Sequence, residues 1–89
     1  MKLLFCDKCL DIIKLTKIIK SCKCGKTKGK YIDSLRAVYS GDHAIPIGID
    51  NYDFIKALNS QPEKGIGKIF NAFVIPKKCE TFIKVNKIS

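Results

Sequence analysis

Five cysteines are the residues of this sequence best suited to chemistry, and four of them fall into two close pairs. Cys6-Asp7-Lys8-Cys9 and Cys22-Lys23-Cys24-Gly25 are separated by twelve residues, the length of a short hairpin. Thiolate pairs on tight turns suit a tetrahedral ion such as zinc, which sits about 2.3 Å from each sulfur while N–H groups of the turns donate to the thiolates. Gly25 fits the second turn because glycine enters positive φ without steric cost. Only Lys23 separates the second pair, so that turn has to be the tighter one. Four thiolates close the coordination sphere and leave no position for a reactive water, which makes the expected zinc structural. The competing reading, four cysteines packing as small hydrophobes, is disfavoured by the pairing and its spacing. Cys79, beside Lys77 and Lys78, is placed outside the metal site as a half-buried strand residue, although the lysine charges would favour its thiolate.

The remaining candidates for chemistry are weaker. Gly25-Lys26-Thr27 ends like a phosphate-binding loop, but the glycine needed five positions earlier is Lys20. His43 adjoins Asp42 in a loop, where acid-base work would need a nucleophile that no motif supplies. Asp50 and Asp53 are explained by capping of a helix and by its dipole. No catalytic residue is assigned, and an enzyme is not expected.

Charge is the second informative feature. The chain has 17 lysines and arginines against 8 acidic residues, a formal net charge of +9. The excess is concentrated at the start, where residues 1–30 hold nine lysines and two aspartates, whereas residues 31–60 are slightly acidic. Lys23, Lys26, Lys28 and Lys30 cluster at the second thiol pair, and a basic loop of this kind can follow a phosphate backbone or sit against an acidic protein. Tyr31 and Tyr39 offer stacking platforms beside the loop, although tyrosines at strand spacing are more often partly buried, and Arg36 is the sole guanidinium. Against this stands the plain role of lysines in solubilising a surface and guarding strand edges.

These residues must be positioned by a small fold. With 89 residues and no internal linker, the chain reads as one domain, a metal-binding part at 1–30 and a β-rich remainder at 31–89. A core this small gains from a metal crosslink. Asp11 to Ser21, rich in isoleucine, predicts two short strands forming a hairpin that turns near Thr16 and Lys17. Residues 26–30 read as a polar turn, and Tyr31 to Tyr39 as another strand or two, ended by Ser40-Gly41-Asp42. Asp50 and Asn51 are natural caps for one helix near residues 51–60, with Phe54, Ile55 and Leu58 on one face. Lys68 to Ile75 and Thr81 to Val85 read as strands separated by Pro76-Lys77-Lys78. The expected class is α+β, a four-cysteine metal-binding start continuing into an antiparallel sheet with one short helix. The opening MKLLF has too short an apolar run for a secretory signal, and no stretch approaches a membrane span of about 20 apolar residues. A cytoplasmic setting with reduced thiols is therefore expected.

Cys6, Cys9, Cys22 and Cys24 resemble the zinc ribbon, a family of β-hairpin modules in which two knuckles clamp one ion, and the resemblance covers residues 6–25. It implies a structural zinc and a β-rich start, in a class whose members bind nucleic acids, proteins or nothing known. The segments Ile45 to Asn51 and Phe73 to Pro76 are similar to small bacterial and phage proteins without an established activity. The expected function is a non-enzymatic, zinc-stabilised module for a polyanion, nucleic acid or a phosphate-bearing nucleotide ligand, contacted by Lys23, Lys26, Lys28, Lys30, Tyr31 and Arg36. The alternative is a phage-type protein-interaction module that inhibits or sequesters a host factor. No membrane partner is expected.

Overall fold

The computed structural model describes residues 1–88. Eight short strands and one helix follow in the order β1 (Lys2–Cys6), β2 (Ile12–Lys14), β3 (Lys20–Ser21), β4 (Lys28–Tyr31), β5 (Ala37–Ser40), β6 (Ala44–Ile49), α1 (Asn51–Asn59), β7 (Ala72–Val74) and β8 (Phe82–Lys84). They form two four-stranded sheets, β2-β1-β6-β7 and β3-β4-β5-β8. The first is antiparallel throughout, while the second contains the parallel pair β5 and β8. The chain is thus sheet-dominated, with a single helix among the described residues, and only loosely α+β.

Both sheets contribute to one core. Leu4 of β1 and Leu15 just beyond β2 pack with Ala37 and Tyr39 of β5, Phe82 of β8 and Ile75 beyond β7. The Tyr39 and Phe82 rings meet edge to face with centroids 5.0 Å apart, the arrangement that ring quadrupoles favour. Gly29 of β4 lies against this core, where an added Cβ would come within 2.6 Å of Leu4 and 2.9 Å of Leu15.

Three sequence expectations are corrected. The Asp11–Ser21 segment supplies two strands, but they do not pair as a hairpin: β2 joins β1 in the first sheet and β3 joins β4 in the second. The chain crosses between sheets at buried Leu15, and the Thr16 carbonyl accepts from the Tyr31 N–H at 2.8 Å. The polar turn expected at residues 26–30 is strand from Lys28 onward, because its glycine sits where core side chains leave no room for another residue. The strand expected over Lys68 to Ile75 is confined to Ala72–Val74, and residues 61–70 are exposed and without regular structure.

The helix lies where its caps place it. Asp50 accepts from the Asp53 N–H at 3.1 Å, and the Ser60 N–H returns to the Ala57 carbonyl. None of its residues is fully buried, and its main apolar partner is Phe70, whose ring meets Phe54 at 4.7 Å.

Candidate metal centre

The two cysteine pairs are held by matching turns, one at the end of β1 and one following β3. In the first, Cys6 closes β1, its N–H donates to the Asp11 carbonyl at 2.9 Å, and its carbonyl accepts from Leu10 at 2.8 Å. In the second, Cys22 follows β3, its N–H donates to the Thr27 carbonyl at 3.0 Å, and its carbonyl accepts from Gly25 at 3.0 Å. Each pair is followed by a residue at positive φ, Leu10 at 62° and Gly25 at 77°. The second thiol pair is one residue closer in sequence, and its turn is correspondingly tighter around Lys23. The two turns are anchored to different sheets, and Asp11 ties them further by accepting the Lys23 N–H at 3.1 Å.

These turns bring all four sulfurs within 4.8 Å of one another. Cys24 Sγ lies 3.7 Å from Cys6 Sγ and 3.5 Å from Cys22 Sγ. A tetrahedron with metal–sulfur bonds of about 2.3 Å has edges of about 3.8 Å, so the cluster already has the dimensions of a four-thiolate site. Cys6 and Cys22 are buried, Cys9 is half-buried and Cys24 is exposed. Cys79 stands apart from the cluster, with its sulfur 3.5 Å from the Thr81 hydroxyl.

The electrostatics of the cluster suit a cation. The Thr27 hydroxyl and the Cys9 N–H lower the Cys6 pKa against the effect of burial. Burial works against the charge of Cys22, yet the Thr27 N–H, 3.4 Å from its sulfur, and the neighbouring thiols bring it down to about 6. At Cys24 the Lys26 N–H favours the thiolate, but burial and the adjacent sulfurs outweigh it and raise the pKa to about 11. The first thiolate suppresses the others, and a divalent ion at the centre is what would ionise all four together. Thr27 is fully buried, and its hydroxyl has no hydrogen bond of ordinary geometry among the described residues, so a thiolate at Cys6 is its natural acceptor.

The residues expected to contact a ligand are only partly brought together. Lys23 and Lys26 are exposed on the second turn, and Lys28 and Lys30, two apart on β4, lie on one face of that strand. Tyr31 alternates to the opposite face, half-buried beside the core, with the Lys2 ammonium 5.6 Å above its ring. Tyr39 is buried and offers no stacking platform. Arg36 stands at the far end of the sheet, its guanidinium paired with Asp33 at 2.9 Å. The Asp33 carboxyl also accepts the Arg36 and Leu35 N–H groups, which with the guanidinium hold its pKa down at about 2. His43, read from sequence as a loop residue, donates from Nδ1 to Asp7 Oδ1 at 2.7 Å, linking the β5–β6 turn to the first thiol turn. Sequence reasoning missed Thr27 and Asp11 as supports of the site; the equal offset of each from the leading cysteine, five residues in both turns, is the signal that marks them.

No helix among the described residues is long and apolar enough to cross a membrane. Comparison with protein-family models, with curated proteins and with solved structures finds no match.

Proposed function

We propose that this chain is a non-enzymatic binding module, held together by one structural zinc ion on Cys6, Cys9, Cys22 and Cys24 in the manner of a zinc ribbon, that binds a phosphate-bearing polyanion through Lys23, Lys26, Lys28 and Lys30. The observation that carries it is the placement of these lysines: two share one face of β4, and two stand on the metal turn leading into it. A closed, all-thiolate donor set of tetrahedral size suits zinc. Tyr31 and Arg36 are engaged elsewhere, so recognition rests on lysine charge, which gives affinity with little sequence preference.

Titration of short DNA and RNA oligonucleotides at two salt concentrations tests the reading. Four phosphate contacts give a log-log slope of roughly −3 to −4, and replacing the four lysines by glutamine flattens it with the zinc retained. Absence of binding at about 50 mM salt refutes it. A second reading, capture of a partner protein, is favoured by apolar side chains standing in solvent, among them Ile66 at 93% and Ile69 at 90% exposure.

A further inference from the structure

A polar cleft of about 530 Å³ opens beside the metal centre, where both thiol turns, the β5–β6 turn and the chain leaving β8 converge. Its walls carry Lys8 from the first thiol turn, Lys26 from the second and Lys84 from β8, together with Asp42 and His43. We propose that this cleft binds a phosphomonoester dianion, clamped by the ammonium groups of Lys8, Lys26 and Lys84.

Three observations support the assignment. First, the three lysines come from segments far apart in sequence, and none of them has an ion pair or a side-chain hydrogen bond among the described residues. Unpaired cations repel one another, so their convergence on one cleft favours an anionic occupant. Second, the walls are cationic. They carry three ammonium groups against the carboxylate of Asp42, and nearby Asp7 is engaged by His43, so a dianionic phosphate ester suits them. A metal bound by four thiolates would draw on the charges of Lys8 and Lys26, which belong to its own turns. Lys84 belongs to neither turn, and the metal does not account for it.

Third, the cleft is built into the backbone. Gly41, at φ +122°, lets the β5–β6 turn approach the second thiol turn so closely that a Cβ there would overlap the Lys26 carbonyl oxygen. The wall carrying Asp42 and His43 is thereby fixed against the wall carrying Lys26, which limits the ordering cost of binding. The volume falls within the roughly 300 to 1,000 Å³ of small-ligand pockets. Phosphomonoesters occur both as free mononucleotides and as the phosphorylated end of a nucleic-acid strand. The cleft shares only Lys26 with the lysine face described above, so the two proposals fail separately.

The test follows backbone amide shifts of the zinc-loaded full chain during titration with inorganic phosphate, adenosine monophosphate, adenosine, and one oligonucleotide with either a 5′-phosphate or a 5′-hydroxyl. Inorganic phosphate and the monophosphate are expected to shift residues 41–43 and 84–86, and adenosine is not. Lys84→Gln should weaken monophosphate binding about tenfold, the loss of one charge-assisted contact, with Lys84→Arg retaining most of it. Lys28→Gln with Lys30→Gln should leave it unchanged. A 5′-phosphate that shifts the cleft more than the monophosphate does identifies a strand end as the source. No cleft shift with any phosphate-bearing probe, or equal shifts in Lys84→Gln, overturns the proposal, and the dispersion of the amide spectrum establishes that each variant is folded.

Discussion

Within the thiol cluster Cys6 and Cys22 are drawn toward the thiolate while Cys24 is held back from it. Cys22 is drawn down to about 6 from an ordinary value of 9.0. A depressed pKa stabilises the folded chain above the unfolded value, and that contribution is lost as pH falls through about 6. Metal release to a chromogenic chelator should accelerate as pH falls, because protons compete with the ion for the thiolates. At neutral pH, Cys22→Ser should abolish stoichiometric zinc binding, whereas Cys79→Ser should leave one zinc per chain, as read by mass spectrometry of the native protein. Thr27 makes a finer prediction. Thr27→Val keeps the shape but removes the hydroxyl beside Cys6, and should weaken zinc about 10-fold or more in a competition titration, with Thr27→Ser close to the parent. The four-thiol cluster was legible because paired cysteines declare themselves by spacing alone. Thr27 was not, since it lies in the run Lys-Thr-Lys-Gly-Lys, whose composition is that of a solvated turn. Leu10 likewise gave no sign of the left-handed backbone it adopts in the place that Gly25 fills in the second turn.

Among the elements, the helix was readable because its signals are local. Asp50 at the N-cap needs only its own neighbours, and Asp50→Ala should cost about 1 kcal/mol of local stability, measured as faster amide exchange across Asn51–Asn59. Exchange in the metal turns should not change, since the helix buries none of its residues against them. Strand existence was also legible, in the isoleucine-rich 11–21 segment and in Phe82–Lys84. Strand partnership was not. Nothing local distinguishes β2 and β3 as partners of one another from β2 and β3 as edges of two sheets, because the choice is made by Leu15 entering a core completed by Tyr39 and Phe82. The parallel union of β5 with β8 was equally silent, since β6, α1 and β7 all intervene between its strands.

At the scale of the molecule, the radius of gyration is 14.3 Å and the longest extent is 44 Å, against about 12 Å of radius for a compact chain of this length. The two sheets share a small core, and the helix with the exposed 61–70 segment adds length without adding burial. Little apolar packing is available to replace the metal, so chelation should unfold at least the first 25 residues, seen as collapse of their amide dispersion and restored by adding zinc. The anchoring of the two thiol turns on different sheets has a mechanical consequence. An ion bridging Cys6 to Cys24 would make the chain between them a closed loop. Tension applied across the termini would then bypass β2 and β3, passing from β1 through the metal–sulfur bonds into β4. The loop's contour length would stay hidden until both thiolates of one pair had left the ion, and the force needed would be set by coordination chemistry in place of hydrogen bonding.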